Sequence, residues 1–434
     1  MDQTLARELL DFIAASPSTF HVIDNFADML RKAGCRELRE EEPWTLEPGQ
    51  RYFLTRNGST LAAFRVPREL RGGFVLAAAH SDSPTFKLKD NPQRTAAGHY
   101  TQLCCEKYGG MLMSTWFDRP LSAAGRVLVR TGNGVETRLV NIDRDLAVIP
   151  NVAIHMNRAA NDGMKYQANV DTYPLLGSAE CGPDILALAA ESAGVRAEDV
   201  VGHDLFLYCR EKGTIFGAQE EYILSPKLDD LECAFALMKG FLSAEESGSL
   251  PVCCIFDNEE VGSGTRQGAA STLLRDTLRR IALGLGLGEE RYLAMLAGSF
   301  LVSADNAHAQ HPNHPEYSDS DNCPWPNGGV VIKYNANVRY ATDGVSAAVF
   351  REICREAGVP VQRYANRSDL PGGSTLGSIA GTLVPVSTVD IGLAQLAMHS
   401  AVETGGVRDL EALVRAMEAY FSRTLSLREG KRCF

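Results

Sequence analysis

Residues 251–264 read PVCCIFDNEEVGSG. An apolar run from Pro251 to Phe256 stops in an Asp, an Asn and two adjacent glutamates, Glu259 and Glu260, and a glycine-punctuated turn follows. Such a run predicts a buried strand of the kind that helices cover in an α/β sheet. Neighbouring carboxylates repel one another, so the pair at its end needs either water around it or a cation beside it.

The same pattern recurs outward from this stretch. GGFVLAAAH (72–80) is a continuous apolar run that ends at His80, followed by Ser81 and Asp82, and SFLVSAD (299–305) ends at Asp305. VPVSTVDIG (384–392) leads within a few residues to His399. Helical periodicity lies between these runs, in SPKLDDLECAFALMKGFL (225–242) and TLLRDTLRRIALGL (272–285), and the chain closes on an amphipathic helix through Leu410, Leu413, Val414, Met417 and Phe421. Alternating strand and helix predicts a mostly parallel α/β sheet. The chain opens with two helical stretches, and RYFLTRNGSTLAAFRV (51–66) predicts a hairpin turning at Asn57-Gly58. From about 91 to 222 the texture changes to long alternating strands with little helical period. The expected organisation is therefore a discontinuous α/β domain, 1–90 and 223–434, carrying an inserted β-rich domain, 91–222.

Length and composition agree with two cores: 434 residues, 45% of them hydrophobic. The formal net charge of −11 is spread along the chain, which argues against nucleic acid or a membrane surface as a partner. The N-terminus lacks the basic start and continuous apolar core of a signal peptide, and no stretch approaches the ~18 apolar residues of a membrane span. Eleven cysteines without CxxC spacing read as reduced core thiols, hence an expected cytoplasmic location. Cys253 and Cys254 are adjacent on a strand and point to opposite faces, which makes them poor joint ligands.

Potential ligands thus sit just past the carboxyl ends of several strands, where an open α/β sheet places its site. Two histidines with three or four carboxylates, and no thiolate, suit a pair of divalent ions such as zinc, manganese or cobalt. A cation also removes the paradox of the paired glutamates: one can ligate while its neighbour accepts a proton from the attacking water. In His80-Ser81-Asp82 the carboxylate can orient the imidazole. Singly these residues have plainer readings, His399 as a core histidine, Asp229 and Asp305 as helix N-caps, Glu259-Glu260 as a solvated loop. Of His308, His311 and His314, only His308 lies near enough to Asp305 to join the rim of a site. GGSTLGS (372–378) lacks the Lys-Ser/Thr ending of a phosphate loop, and no Gly-x-Ser-x-Gly elbow is present.

AAAHSDSP, SPKLDDL, FDNEEVGSGT, SADNAHAQHP, VIKYNANVRY and LAMHS, with STWFDRPLSAAGRV in the 91–222 segment, resemble in order the signatures of the aspartyl aminopeptidase family. That resemblance implies a metallopeptidase α/β sandwich with an inserted β-rich dimerisation domain. It also implies two divalent metals, expected to be zinc, and a tetrahedral homododecamer. By the same resemblance Asp229 bridges both metals, His80 and Asp305 complete one shell, Glu260 and His399 the other, and Glu259 is the general base. Lys333 and Tyr340 line the substrate pocket, and His155 reaches a neighbouring subunit's site. The expected activity is removal of an N-terminal residue, acidic by preference, from peptides. One departure is visible: the residue after the bridging Asp is usually Asn and here is Asp230. From the residues alone, Lys333 in an apolar run pairs with an internal acid as readily as it meets a substrate. Two other functions share the pattern, a di-metal amidohydrolase or deacylase of other substrates and a non-catalytic oligomeric scaffold.

Overall fold

Hydrogen-bond register joins the apolar runs into one sheet. In the computed structural model, which describes residues 3–180, 184–370, 372–428 and 430–433, the strand Leu250–Phe256 pairs in parallel with Phe74–His80, from Leu250 opposite Phe74 to Phe256 opposite His80. On the other side it pairs antiparallel with Thr60–Arg65, which turns back through Asn57-Gly58 to Arg51–Arg56 as the hairpin reading expects. The full order is Arg36–Glu37, Arg51–Arg56, Thr60–Arg65, Leu250–Phe256, Phe74–His80, Phe300–Ala304, Ser387–Gly392, Val330–Tyr334, Val361–Ala365. The four central strands, Leu250–Phe256 through Ser387–Gly392, all run parallel, so their carboxyl ends share one edge.

Side chains alternate across this sheet into two apolar layers. Cys253, Ile255, Ala77 and Ala79 join one core with the helices Thr4–Ala14, Thr19–Lys32, Leu228–Ser243 and Val407–Phe421. Cys254, Phe256, Leu76 and Ala78 join the other with Leu273–Gly284 and Leu376–Leu383. The two adjacent cysteines therefore do face opposite ways. Tyr420, fully buried, donates its hydroxyl to the carbonyls of Leu76 or Phe300, at 2.9 and 2.8 Å, and so anchors the C-terminal helix on two central strands.

A second, six-stranded sheet is antiparallel throughout, ordered Gly134–Asn141, Leu121–Thr131, Val200–Cys209, Thr85–Ala96, Tyr100–Tyr108, Leu175–Ser178. It has its own core, to which the helix Ile185–Ala193 adds Ile185 and Ala189. The sequence shows little helical period there because this helix is a short run of mostly alanine and leucine, apolar around more than one face. Arg126 ties this sheet to the first: its guanidinium donates to Asp204 at 2.9 Å and to the Asn57 carbonyl at 2.8 Å, over the Phe20 ring. A three-stranded antiparallel sheet joins Thr214–Phe216, Tyr222–Ser225 and Glu403–Gly406.

Candidate metal centre

His80 is the last residue of its strand and is 1% exposed. Its Nδ1 lies 3.0 Å from the carbonyl of Asp82. A carbonyl only accepts, so this assigns the proton to Nδ1 and leaves the Nε2 lone pair facing Asp229 Oδ1, 3.5 Å away. His399 repeats the arrangement. Its Nδ1 meets the carbonyl of Gly110 at 2.8 Å, and its Nε2 lies 3.2 Å from Asp229 Oδ2 and 3.4 Å from Glu260 Oε2. Asp229, at the start of the helix Leu228–Ser243 and joined to Asp230 by a cis peptide bond, thus stands between the two imidazoles.

Three groups of ligand atoms form here, each within 4.8 Å: His80 with Asp229, Asp230 and Asp305; His80 with Glu259 and Glu260; and Asp229 with Glu260 and His399. Asp229 Oδ1, Asp230 Oδ1 and Glu260 Oε1 are buried without a hydrogen-bond partner. Leaving such an atom unsatisfied costs about 1–3 kcal/mol, more for a charge. Orphaned carboxylate oxygens beside two imidazole lone pairs fit divalent cations bound through oxygen and nitrogen. Electrostatics point the same way. Burial, then the Asp229 charge, pushes Glu260 well above the usual carboxylate range, and burial with the surrounding acids pushes Glu259 up to about 8. Burial opposes charge on the imidazoles and on Asp229 too, but without cations the carboxylates favour a proton on each Nε2 as well, raising His399 to about 10. Donation from His399 and His80 then outweighs burial and holds the Asp229 carboxyl below its ordinary value; a bound cation would take the place of those protons.

The two glutamates sit on a single 3-10 turn, Glu259–Val261, that follows Asn258 in the left-handed region, φ 62°. Asp82 anchors that turn. Its carboxylate accepts the backbone N–H of Glu259 at 3.1 Å and of Glu260 at 3.2 Å, and the hydroxyl of Tyr108 at 2.7 Å. The expected carboxylate–imidazole contact from Asp82 is thus secondary: the Asp82 carbonyl is nearer His80 Nδ1, 3.0 Å against 3.4 Å for the carboxylate, which is engaged with the glutamate turn.

Asp305 follows the strand Phe300–Ala304, and Lys333 approaches it from the strand Val330–Tyr334. Lys333 is 1% exposed; its ammonium donates to the carbonyls of Asp305 at 2.7 Å and Asn306 at 3.3 Å and lies 3.6 Å from Asp305 Oδ1. Burial alone would discharge it, but the Asp305 carboxylate reverses the effect and raises its pKa. Tyr340 is buried with its ring 5.2 Å from that ammonium. His308 keeps solvent contact, yet its ring is 6.1 Å from that of Tyr364, and the surrounding protein and then the Lys333 charge lower its pKa. His155 lies elsewhere, exposed in a turn region of the 91–222 segment, and joins none of the three groups. Residues 372–378 lead into the helix Leu376–Leu383, where Gly377 packs so close to Asp390 and Ser303 that a Cβ would sit 2.6 Å from Asp390 Oδ1.

Several supporting residues escape a reading of the sequence. Glu403, 2% exposed, accepts the backbone N–H of Asp229 at 3.0 Å and of His399 at 2.7 Å. Asn306 donates to the carbonyl of Leu228 at 3.0 Å and to Gln395 Oε1 at 2.9 Å, joining the Asp305 and Asp229 segments. These contacts run to backbone groups across the fold, which no local spacing encodes. Glu232 did leave a signal, as the lone acid inside the apolar helix run LECAFALM.

A family model described as Aminopeptidase I zinc metalloprotease (M18) matches residues 12–421. The chain is 44% identical over 425 residues to the "Probable M18 family aminopeptidase 2" of Clostridium acetobutylicum, covering 96% of this chain and 98% of that protein. It is similar to a chain of the Ape4–Nbr1 complex solved by cryo-EM, with a TM-score of 0.92, 36% identity, and coverage of 96% of this chain and 85% of that one. The solved mApe1 dodecamer of S. cerevisiae gives a TM-score of 0.85 at 29% identity, covering 97% of each chain.

Burial also raises Glu232 to about 8 and Asp409 to about 7. The folded protein holds these protons where the unfolded chain releases them, so stability is full below the ordinary carboxylate pKa and is lost as pH rises through the folded values. The melting temperature of chelator-treated protein should therefore fall between about pH 4 and about pH 8. Glu232→Gln, which keeps the shape and removes the titration, should flatten that fall; an unchanged slope in calorimetry would assign the effect to other groups.

Proposed function

The chain belongs to the M18 family of zinc metalloprotease aminopeptidases, and from that premise we propose that it removes single residues from peptide N-termini at a two-metal centre on the shared strand edge. The observation that carries this reading is the meeting of His80, Asp229, Glu260, Asp305 and His399 around orphaned carboxylate oxygens, with Glu259 beside them. His80 and Asp305 would hold one ion, Glu260 and His399 the other, and Asp229 would serve both. When bound, such ions supply Lewis-acid polarisation of the scissile carbonyl and a water acidic enough to lose its proton near neutral pH.

Glu259 does the proton work. Its backbone is pinned by Asp82, and its carboxylate stands among the ligand groups without being needed to complete either ion's set. It takes the proton from the attacking water and delivers it to the leaving amine. Burial and neighbouring acids raise its proton affinity, while added cations act in the opposite sense and keep it able to accept as well as give.

Lys333 gives the pocket its preference for Asp or Glu at the substrate's N-terminus. Two backbone carbonyls occupy part of its donor capacity, and the remaining N–H faces Asp305 and, in this reading, a substrate carboxylate. Tyr340 lies next to that ammonium, and Tyr364 links its ring to that of His308.

Residues 91–222 act as an inserted domain through which copies of the chain assemble, with twelve subunits in tetrahedral arrangement. The support is the number of exposed apolar side chains there, Val135, Val152, Ile154, Val170 and Met156, the last 84% exposed. His155, exposed between Ile154 and Met156, would reach the site of a second copy.

Glu259→Gln should retain both metals and lose at least ~10²-fold in kcat. Glu260→Gln should weaken metal binding itself. Metal analysis showing the reverse division, or turnover that survives chelation, would refute the mechanism.

Lys333→Met should depress cleavage of Asp- and Glu-terminated substrates well beyond that of Ala- or Leu-terminated ones. Equal losses on all four would make Lys333 a structural partner of Asp305 alone.

Mixing His155→Ala chains with Glu259→Gln chains should recover part of the activity in mixed particles; strict additivity of the two losses would place His155 outside any neighbouring site.

A further inference from the structure

The residues proposed to bind metal all lie outside the six-stranded sheet, yet the chain leaving that sheet touches the centre at five residues of one short segment. Tyr108 ends the strand Tyr100–Tyr108, and the chain then runs through Gly109, Gly110 and Leu112 to Thr115. Each contact falls on a backbone or side chain that fixes a proposed ligand or the base.

Tyr108 reaches the glutamate turn from both sides. Its hydroxyl donates to Asp82 Oδ2 at 2.7 Å and accepts from Asn258 Nδ2 at 2.8 Å. Asp82 holds the N–H groups of Glu259 and Glu260, and Asn258 is the left-handed residue that begins their turn. The other end of the Asn258 amide accepts from Thr265 and Gln267, at 2.8 and 3.0 Å. One phenol therefore closes a loop of hydrogen bonds around the segment that carries the base.

Gly109 has φ +78°, and a Cβ built on it would lie 3.1 Å from the Cβ of Glu260. The glycine both turns the chain and lets it pass directly over that glutamate. Gly110 then offers its carbonyl to His399 Nδ1, which sets the tautomer of that imidazole. His399 itself is a non-glycine residue with φ +66°. Its loop is fastened by Leu112 N–H to the His399 carbonyl at 2.9 Å and by the Ala401 N–H to the Thr115 hydroxyl at 2.9 Å.

We propose that Tyr108–Thr115 is a positioning segment for the metal centre, through which the placement of the six-stranded sheet sets the orientation of Glu259 and the hold of Glu260 and His399 on their ion. Its residues touch neither substrate nor reacting atoms; they act through Asp82, Asn258, Glu260 and His399. The inference rests on the two-metal reading above and adds to it a dependence on a part of the chain that supplies no metal ligand. Two effects are separable. Losing the Tyr108 hydroxyl frees the turn of the base, which acts on kcat. Crowding Gly109 displaces Glu260, which acts on metal retention.

The test uses the full-length zinc-loaded protein, with Tyr108→Phe, Gly109→Ala and, as a second probe of the His399 loop, Thr115→Val. Zinc retention is titrated against a graded chelator, and kcat and KM are measured separately. Tyr108→Phe should keep both ions and lose about 10–100-fold in kcat with little change in KM, the range typical of groups that orient metal ligands. Gly109→Ala and Thr115→Val should release one ion at about 10-fold or more lower chelator concentration than the unaltered protein. Val127→Ala, on the strand Leu121–Thr131 in the core of the six-stranded sheet and outside the segment, serves as a control for general destabilisation. Unaltered kcat in Tyr108→Phe together with unaltered zinc retention in Thr115→Val overturns the proposal, as does an equal weakening of zinc in Val127→Ala. If the unaltered protein itself holds no zinc, the two-metal reading fails, which the same titration distinguishes from failure of the segment alone.

Discussion

Like charge confined to one strand edge is the constraint around which the rest of this protein is arranged. Asp229, Asp230, Glu259, Glu260 and Asp305 meet with only two imidazoles and one ammonium among them. Two unit charges at 4 Å repel by roughly 4 kcal/mol even at an effective dielectric of 20, and here several such pairs share one site. Protons relieve part of this in the absence of cations, which is why the carboxyl groups of Glu259 and Glu260 are driven upward. Divalent ions relieve it without protons and satisfy the oxygens that have no other partner. The parallel strands make the concentration possible, because their carboxyl ends fall along one edge and each ends in a short turn with side chains free to converge.

Holding such a cluster in one geometry requires a rigid surround, and the surround is built mainly from backbone contacts. Asp82 grips the glutamate turn, Glu403 grips the backbones of Asp229 and His399, and carbonyl oxygens fix the tautomers of both histidines. Glu403 is brought to the site by the three-stranded sheet, in which it pairs with Ser225, four residues before Asp229. Lys333 lies within the same frame: its ammonium is bonded to the Asp305 and Asn306 carbonyls, so any charge it offers a substrate is offered from a position already tied to a ligand segment.

The two large sheets are therefore not independent supports. Arg126 joins them at the hairpin, and the Tyr108–Thr115 stretch carries the contact to the metal-facing edge. The chain leaving this sheet borders the glutamate turn on one side and His399 on the other. The same segment, 91–222, also carries the exposed apolar side chains Val135, Val152, Ile154, Met156 and Val170.

Much of this was legible in the sequence because it depends on local pattern. An apolar run that stops in an acid or a histidine identifies a buried strand and its functional end at once, and four separate stretches did so or led to such a residue. The hairpin at Asn57-Gly58 and the long amphipathic helices follow from turn chemistry and a 3.6-residue period. The short helix Ile185–Ala193 did not, because an apolar run of that length has no distinct face. What remained hidden were contacts between residues far apart in the chain: Glu403 to two backbone N–H groups, Gly110 to an imidazole, Tyr108 to Asp82 and Asn258. The chemistry of the side chains determines which residues can bind a cation or move a proton, and that is written locally. Which nitrogen carries a proton, which carboxylate is left without a partner and which backbone supports it depend on groups that only the tertiary fold brings within about 3 Å of one another, and a hydrogen bond weakens steeply beyond such distances.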